Sequence, residues 1–281
     1  MRQLFLIICC VIFGGLKLHA QELFVFTEPA SLMPAKSITV KLGARYPNSK
    51  YNQDFKQRYV PEVMVGISKK VMVHASASLS DYYSSALRYE SAKLYGQWRF
   101  FSNDEVHGHF RMAAFAEGAY TRNPFRYEEL SLDGDHSGVQ GGLIATQLIH
   151  KLALSATASV IKVLDKNSSH MGSAMPATGA VNYTLSAGYL LFPKNYTSYN
   201  QPNLNVYVEL LGMQGWEQRH GMLDLAPALQ LILNSRYKIN AGYRFQLAGN
   251  MLRAGEKTFT LGIETTFLGL LQKKREQSFN Q

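Results

Sequence analysis

Cysteine is nearly absent from this chain: of 281 residues only Cys9 and Cys10 carry thiols. Both fall within a segment expected to be removed, so neither a disulfide nor a thiolate site is expected in the mature protein. Long apolar runs are also missing. After residue 20 none approaches the roughly 20 residues that a membrane-spanning helix needs, although the composition is 46% hydrophobic; a helical membrane protein is excluded. No catalytic motif stands out, no cofactor is implied, and nothing beyond a formal net charge of +9 points toward nucleic acid. Such a charge speaks of association, with lipopolysaccharide or anionic solutes, and not of fold.

What is present begins with an export signal. Residues 1–20 hold the basic Arg2, an apolar run over 4–13, and a small-residue exit at Leu18, His19 and Ala20. This is the pattern of a secretory signal peptide cut before Gln21. A lipid anchor at Cys9 or Cys10 is disfavoured because Ile8 stands where a small residue is expected and the apolar run continues past it.

The rest of the chain is dominated by alternation of period two, which places successive side chains on opposite faces of a strand. In 37–46, Ile38, Val40, Leu42 and Ala44 alternate with Thr39, Lys41, Gly43 and Arg45. Eleven further segments follow at 60–68, 71–81, 89–101, 106–122, 137–149, 152–164, 180–192, 204–213, 222–233, 236–247 and 257–271. Their connectors sort into two classes. Those at 69–70, 102–105, 150–151 and 234–235 are tight, with 193–203 the one longer member, and they alternate with longer ones at 47–59, 82–88, 123–136, 165–179, 214–221 and 248–256. From a periplasmic N-terminus all tight turns fall on one side and all longer loops outside, the asymmetry of outer-membrane barrels.

Face chemistry points the same way. Tyr237, Ile239, Ala241, Tyr243, Phe245 and Leu247 share one face, while Arg236, Lys238, Asn240, Gly242, Arg244 and Gln246 share the other. A charge on a lipid face near the midplane costs about 2 to 4 kcal/mol, so such segregation suits a bilayer. A soluble β-barrel or sandwich would alternate too, but ordinary strands run about 5 to 6 residues. Ten residues at about 3.3 Å each, tilted near 40°, rise about 25 Å, the height of a membrane barrel's apolar band. The expected fold is all-β: a transmembrane antiparallel up-and-down barrel of about 12 strands. The expected organisation is a signal peptide at 1–20, a periplasmic or lumenal strap at 21–36, the barrel at 37–271 and a polar tail at 272–281.

The stretch from Glu22 through Phe24, Val25, Phe26, Thr27, Glu28 and Pro29 to Ser31, followed by Met33, Pro34, Ala35, Lys36 and Ser37, resembles exported barrel proteins of Bacteroidota. The resemblance implies an outer-membrane β-barrel, with an association to metal handling. Its partners would be outer-membrane lipid, lipopolysaccharide and the barrel-assembly machinery. The C-terminus departs from the usual pattern, in which an aromatic in the last strand ends the chain; here Phe279 lies in the polar tail and Phe267 is the alternative assembly signal.

Candidate functional residues follow from the lumen-facing set. Lys41, Arg45, Lys93, Arg99, Arg111, Arg236, Lys238 and Arg244 would attract anions if the lumen were open. With Glu62, Glu117, Glu209, Asp224 and Glu264 they would instead form an internal salt network, since twelve strands lie between barrels filled by side chains and barrels with a water channel. His107 and His109 share a face and could hold a transition metal given a third ligand, while His170, Met171 and Met175, with Met213, His220 and Met222 near the next loop, offer soft ligands. Glu128, Glu129, Asp133 and Asp135 in one loop are candidate calcium ligands, but lack the full spacing, and a solvated turn is the plainer reading. Ser169 with His170 and His136 with Ser137 are adjacent in sequence, which does not supply the geometry of a hydrolase. The functional expectation is a small channel or transporter for a polar or anionic solute. The alternatives are a non-conducting barrel whose outer loops meet a partner, and a lipid-active or metal-handling barrel.

Overall fold

The structure, a computed structural model, describes residues 24–48, 56–106, 108–164, 178–195, 198, 200–216 and 220–271. Twelve strands run β1 Ile38–Asn48, β2 Arg58–Gly66, β3 Val71–Ser80, β4 Arg88–Asp104, β5 Gly108–Thr121, β6 Gly138–Ile149, β7 Leu152–Val163, β8 Gly179–Phe192, β9 Asn203–Gly215, β10 Gly221–Leu233, β11 Tyr237–Gly249 and β12 Lys257–Phe267. Each pairs antiparallel with its neighbours in sequence, and β12 closes on β1 in unbroken register from Ile38 opposite Phe267 to Asn48 opposite Lys257. Closure leaves no open edge, which in lipid is obligatory because an unpaired backbone group has no water to bond.

Connectors of both classes fall where the alternation places them, giving the barrel a turn end and a loop end. Several strand ends differ by a few residues, and two of the differences have a clear local cause. β2 begins at Arg58, inside the expected loop, because the pairing of Arg45 with Arg58 continues the ladder. β12 stops at Phe267 rather than residue 271; Gly269 takes a positive φ of 67° that ends the strand, and Leu271 N donates to Lys36 O.

Burial reverses what a soluble barrel requires. Leu94 is 69% exposed, Leu185 58% and Ile263 57%, all outward, whereas Thr146, Gln97, Gln230, Asp224 and Glu209 are buried inside. The outer surface is thus a continuous apolar belt and the barrel is a transmembrane one. Aromatic rings border it: Tyr46 meets Tyr59 and Phe259 at the loop end, and Trp98 packs on Phe100 and Phe101 on Phe110 toward the turn end. Such rings suit the interface because one end is apolar and the other wet. Leu94 sits mid-strand, opposite Ala75 and Gly118. Leu94→Arg is expected to lower the stability of the barrel folded into vesicles by about 2 to 4 kcal/mol, measured by urea titration; an unchanged midpoint would place this face away from lipid.

Candidate functional site

The lumen is crossed at both ends by chain that belongs to the protein itself. At the turn end residues 24–36 run across it as a strap. Phe24 packs edge-on against Tyr207, 5.5 Å between centroids, with Ala153 and Ala228. Val25 N and Phe26 N donate to Glu209 Oε1 at 2.9 and 3.0 Å, and Thr27 Oγ1 donates to Glu209 Oε2 at 2.7 Å. Ala30 N then donates to Thr146 Oγ1 at 2.8 Å and Pro29 O accepts from Gln97 Nε2 at 2.8 Å. Leu32 and Met33 bury against Met64, Met72 and Tyr95, and Lys36 N donates to Gly66 O before β1 begins. The strap therefore passes from the β8–β10 wall to the β2–β4 wall, nearly opposite in the ring.

The wall is shaped to receive it. A Cβ on Gly242 would lie 2.6 Å from the Phe26 ring, and one on Gly188 2.4 Å from the Tyr207 ring against which Phe24 packs. Only glycine permits these close approaches.

At the loop end the β5–β6 connector, residues 122–137, folds inward instead of standing outside as expected. Leu130 and Leu132 pack on Ile161, Ala180, Met213, Met222 and Met251. The acidic residues read as a solvated turn or a calcium loop are instead ion-paired to the wall. Asp133 joins Arg45 at 2.7 Å and bonds Lys93 closely. Asp135 takes both Arg58 Nη1 and Nη2, at 2.8 and 2.7 Å, and the Tyr83 hydroxyl. Glu129 accepts from Arg244 at 2.8 Å and Arg253 at 3.0 Å, and Glu128 meets His220 and the amide of Leu252. Burial alone would push the Glu129 carboxyl up, but the guanidiniums of Arg244 and Arg253 hold it down at about 2. Asp133 is likewise held well below the ordinary carboxylate range, where Lys93 and Arg45 overrule the effect of burial.

Between strap and inward loop lies a cavity of about 390 Å³. On the β1–β5 side it is lined by Lys41, Glu62, His74, Lys93 and Glu117, and on the other by Gln140, Ser159, Asn182, Thr184, Asn240, Thr258 and Thr260. The charged groups are matched: His74 Nδ1 is 2.8 Å from Glu62, with Lys41 at 3.9 Å, and Lys93 is 3.3 Å from Glu117.

The remaining lumen charges are distributed as follows. Lys238 and Glu264 form a buried pair at 2.7 Å. Asp224 takes Arg244 Nε and, bidentately, Arg253 at 2.8 and 2.7 Å. Arg111 bonds Asp104 and Ser31 at the strap. Arg99 keeps lumenal parity but reaches the Lys69 carbonyl at the turn-end rim. Two expectations need correction. Arg236 does not line the lumen; it is exposed in the turn before β11. Glu209 joins no ion pair among the described residues, because strap amides and hydroxyls surround it.

Of the metal candidates, His107, His170, Met171 and Met175 lie outside the described residues. His109 bonds Asp104 at 2.9 Å. Met213 and Met222 pack under the inward loop. Among the described residues no three His, Asp or Glu side chains gather as a cation site. Ser102, Asp104 and His109 meet at the turn end, but the serine donates to the aspartate and not to the histidine, so no nucleophile and base are paired.

Arg58 and Arg253 escape sequence reasoning. Both were expected in outer loops, where no periodicity marks a direction, yet they are among the most buried charges, Arg58 lying 4.1 Å over the Tyr82 ring.

No protein-family model matches the chain, and no curated protein matches its sequence. Solved structures do resemble it. A KdgM porin aligns at 8% identity over 82% of this chain and 99% of that one, with a TM-score of 0.48. The beta domain of the Bordetella autotransporter BrkA aligns at 12% identity over 82% and 98%, with a TM-score of 0.46. Outer membrane phospholipase A from Escherichia coli aligns at 8% identity over 92% and 94%, with a TM-score of 0.42. These likenesses concern the fold alone.

Proposed function

We propose that the chain is an outer-membrane barrel of the gated kind: a passage for a small polar solute that is shut at rest, with the strap on the periplasmic side and the inward loop on the outer side. The apolar belt and the closed ladder support the membrane placement. The observation that carries the gating is the unequal hold on the two closures. The outer one is a loop anchored to strands at both ends and clamped by Asp133, Asp135 and Glu129 to arginines and lysine of the wall. The inner one joins the wall covalently at β1, and the largest share of its hydrogen bonds goes to a single residue, Glu209. The strap is therefore the part that moves. The charges that would make an open lumen anion-selective are mostly spent in pairs, so the resting barrel is not a general pore. Purified full-length chain in planar bilayers is expected to show no steady conductance; ohmic current at low voltage from the intact chain would overturn the reading.

A further inference from the structure

The cavity between strap and inward loop holds polar atoms that the protein leaves unmet. Asn182 Oδ1 on β8, Asn240 Oδ1 on β11 and Thr260 Oγ1 on β12 are buried, and none has a hydrogen-bond partner among the described residues. All three residues line the cavity, and Asn240 is only 6% exposed. Buried polar groups are as a rule satisfied, by protein, water or ligand.

The two sides of the cavity differ in what they offer. On the β1–β5 side acids and bases already neutralise one another, so a charged ligand would have to break ion pairs to bind. On the β8 and β11–β12 side the unmet groups are uncharged amide and hydroxyl oxygens, which call for O–H or N–H donors. Phe115 also lines the cavity and stacks on Tyr95, 5.5 Å between centroids and 22° from parallel, supplying a flat apolar face. The backbone is bare at Gly43, where a Cβ would meet nothing nearer than 3.9 Å. At about 30 Å³ per water, the cavity's 390 Å³ would hold on the order of a dozen waters, room enough for one or two sugar rings.

We propose that this cavity is a binding site for an uncharged polyhydroxylated solute of monosaccharide to disaccharide size, its hydroxyls meeting Asn182, Asn240 and Thr260 and its ring face lying on an aromatic side chain. The proposal deepens the gated-passage reading, but it is tested by binding and so fails separately from it. Full-length chain in detergent would be titrated with glucose, xylose and maltose, and with galacturonate as the charged counterpart, following the thermal midpoint and the heat of binding. A saturable response to at least one neutral sugar, absent for galacturonate, is expected. Gly43→Leu, in the same ladder row as Gly262 and Asn240, takes up cavity space beside the unmet groups and should abolish that response while the barrel keeps its heat-resistant migration on gels. Thr260→Val, which keeps shape and removes one hydroxyl, should weaken affinity about fivefold, the equivalent of one neutral hydrogen bond. No saturable response to any of the three neutral sugars would overturn the proposal, leaving water as the occupant. So would a response that survives both variants, or one stronger for galacturonate.

Discussion

Glu209→Ala is expected to free the strap and open the turn end of the lumen. The carboxylate is fully buried in the β9 wall and takes the amides of Val25 and Phe26, the hydroxyl of Thr27 and, at 3.3 Å, that of Ser186. Hydrogen bonds to a charged group contribute about 1.5 to 3 kcal/mol each, so removing the acceptor deletes the strongest polar hold on the strap and leaves two buried amides unmet. The barrel itself should persist, because its ladder does not pass through Glu209's side chain and the variant buries one charge fewer. Glu209→Gln separates the latch from a general disturbance. Its Oε1 still accepts from the two amides and its Nε2 can donate to Thr27 and Ser186, so most of the closure should be retained. Proteolytic cleavage within 24–36 in Glu209→Ala, against a protected strap in Glu209→Gln, is the expected pair of results. If the alanine variant keeps its strap protected, Glu209 is not the latch.

The second large effect is expected at Asp224, which lies beneath the outer closure. Its side chain is fully buried and faces Arg244 and Arg253, the latter also shielded from solvent. Removing one member of a buried ionic cluster strands its partners and costs about 3 to 5 kcal/mol. Asp224→Ala leaves both guanidiniums facing Glu129 alone, so urea unfolding in vesicles should shift by that amount and the 250–256 segment should become cleavable; a shift below about 1 kcal/mol would show that Glu129 suffices.

The same cluster sets the acid limit of the closure. The Glu129 carboxyl titrates at about 2 in the fold against 4.5 as its ordinary value. A depressed carboxyl stabilises fully above its unfolded value and loses that contribution as pH falls toward the folded one. At about 1.4 kcal/mol per unit this comes to about 3 kcal/mol. Docking of the inward loop, followed by its protease accessibility, is therefore expected to be unchanged from pH 8 to 5 and to weaken between about 4.5 and 2. Release near neutrality would contradict the clamp.

Much of the wall was legible because it follows from local parity. Lys238, Asn240 and Arg244 must share a face that Ile239, Ala241 and Tyr243 cannot, whatever the rest of the chain does. The alternating connector lengths then arrange neighbours in sequence as neighbours in the sheet, and 234–235 or 150–151 leave no room for another course. Boundaries slipped where periodicity stops, at Arg58 and after Phe267, because ladder pairing and Gly269 decided them.

The inside was legible only as a choice between an open lumen and a paired one. Residues 122–137 and 250–256 carry no period, so nothing local says whether they stand out or turn in. Arg58 finds Asp135 across 77 positions and Arg253 finds Glu129 across 124. Glu209 was expected among cations, but the strap arrives first with its amides, 182 to 184 residues away in sequence. Strand number, closure and the division into lipid and lumen faces were thus determined by the sequence alone, since alternation acts between adjacent residues. Which charges meet, which segments close the lumen and which polar atoms stay unmet were decided only by the tertiary structure, because those outcomes depend on distant segments competing for the same enclosed space.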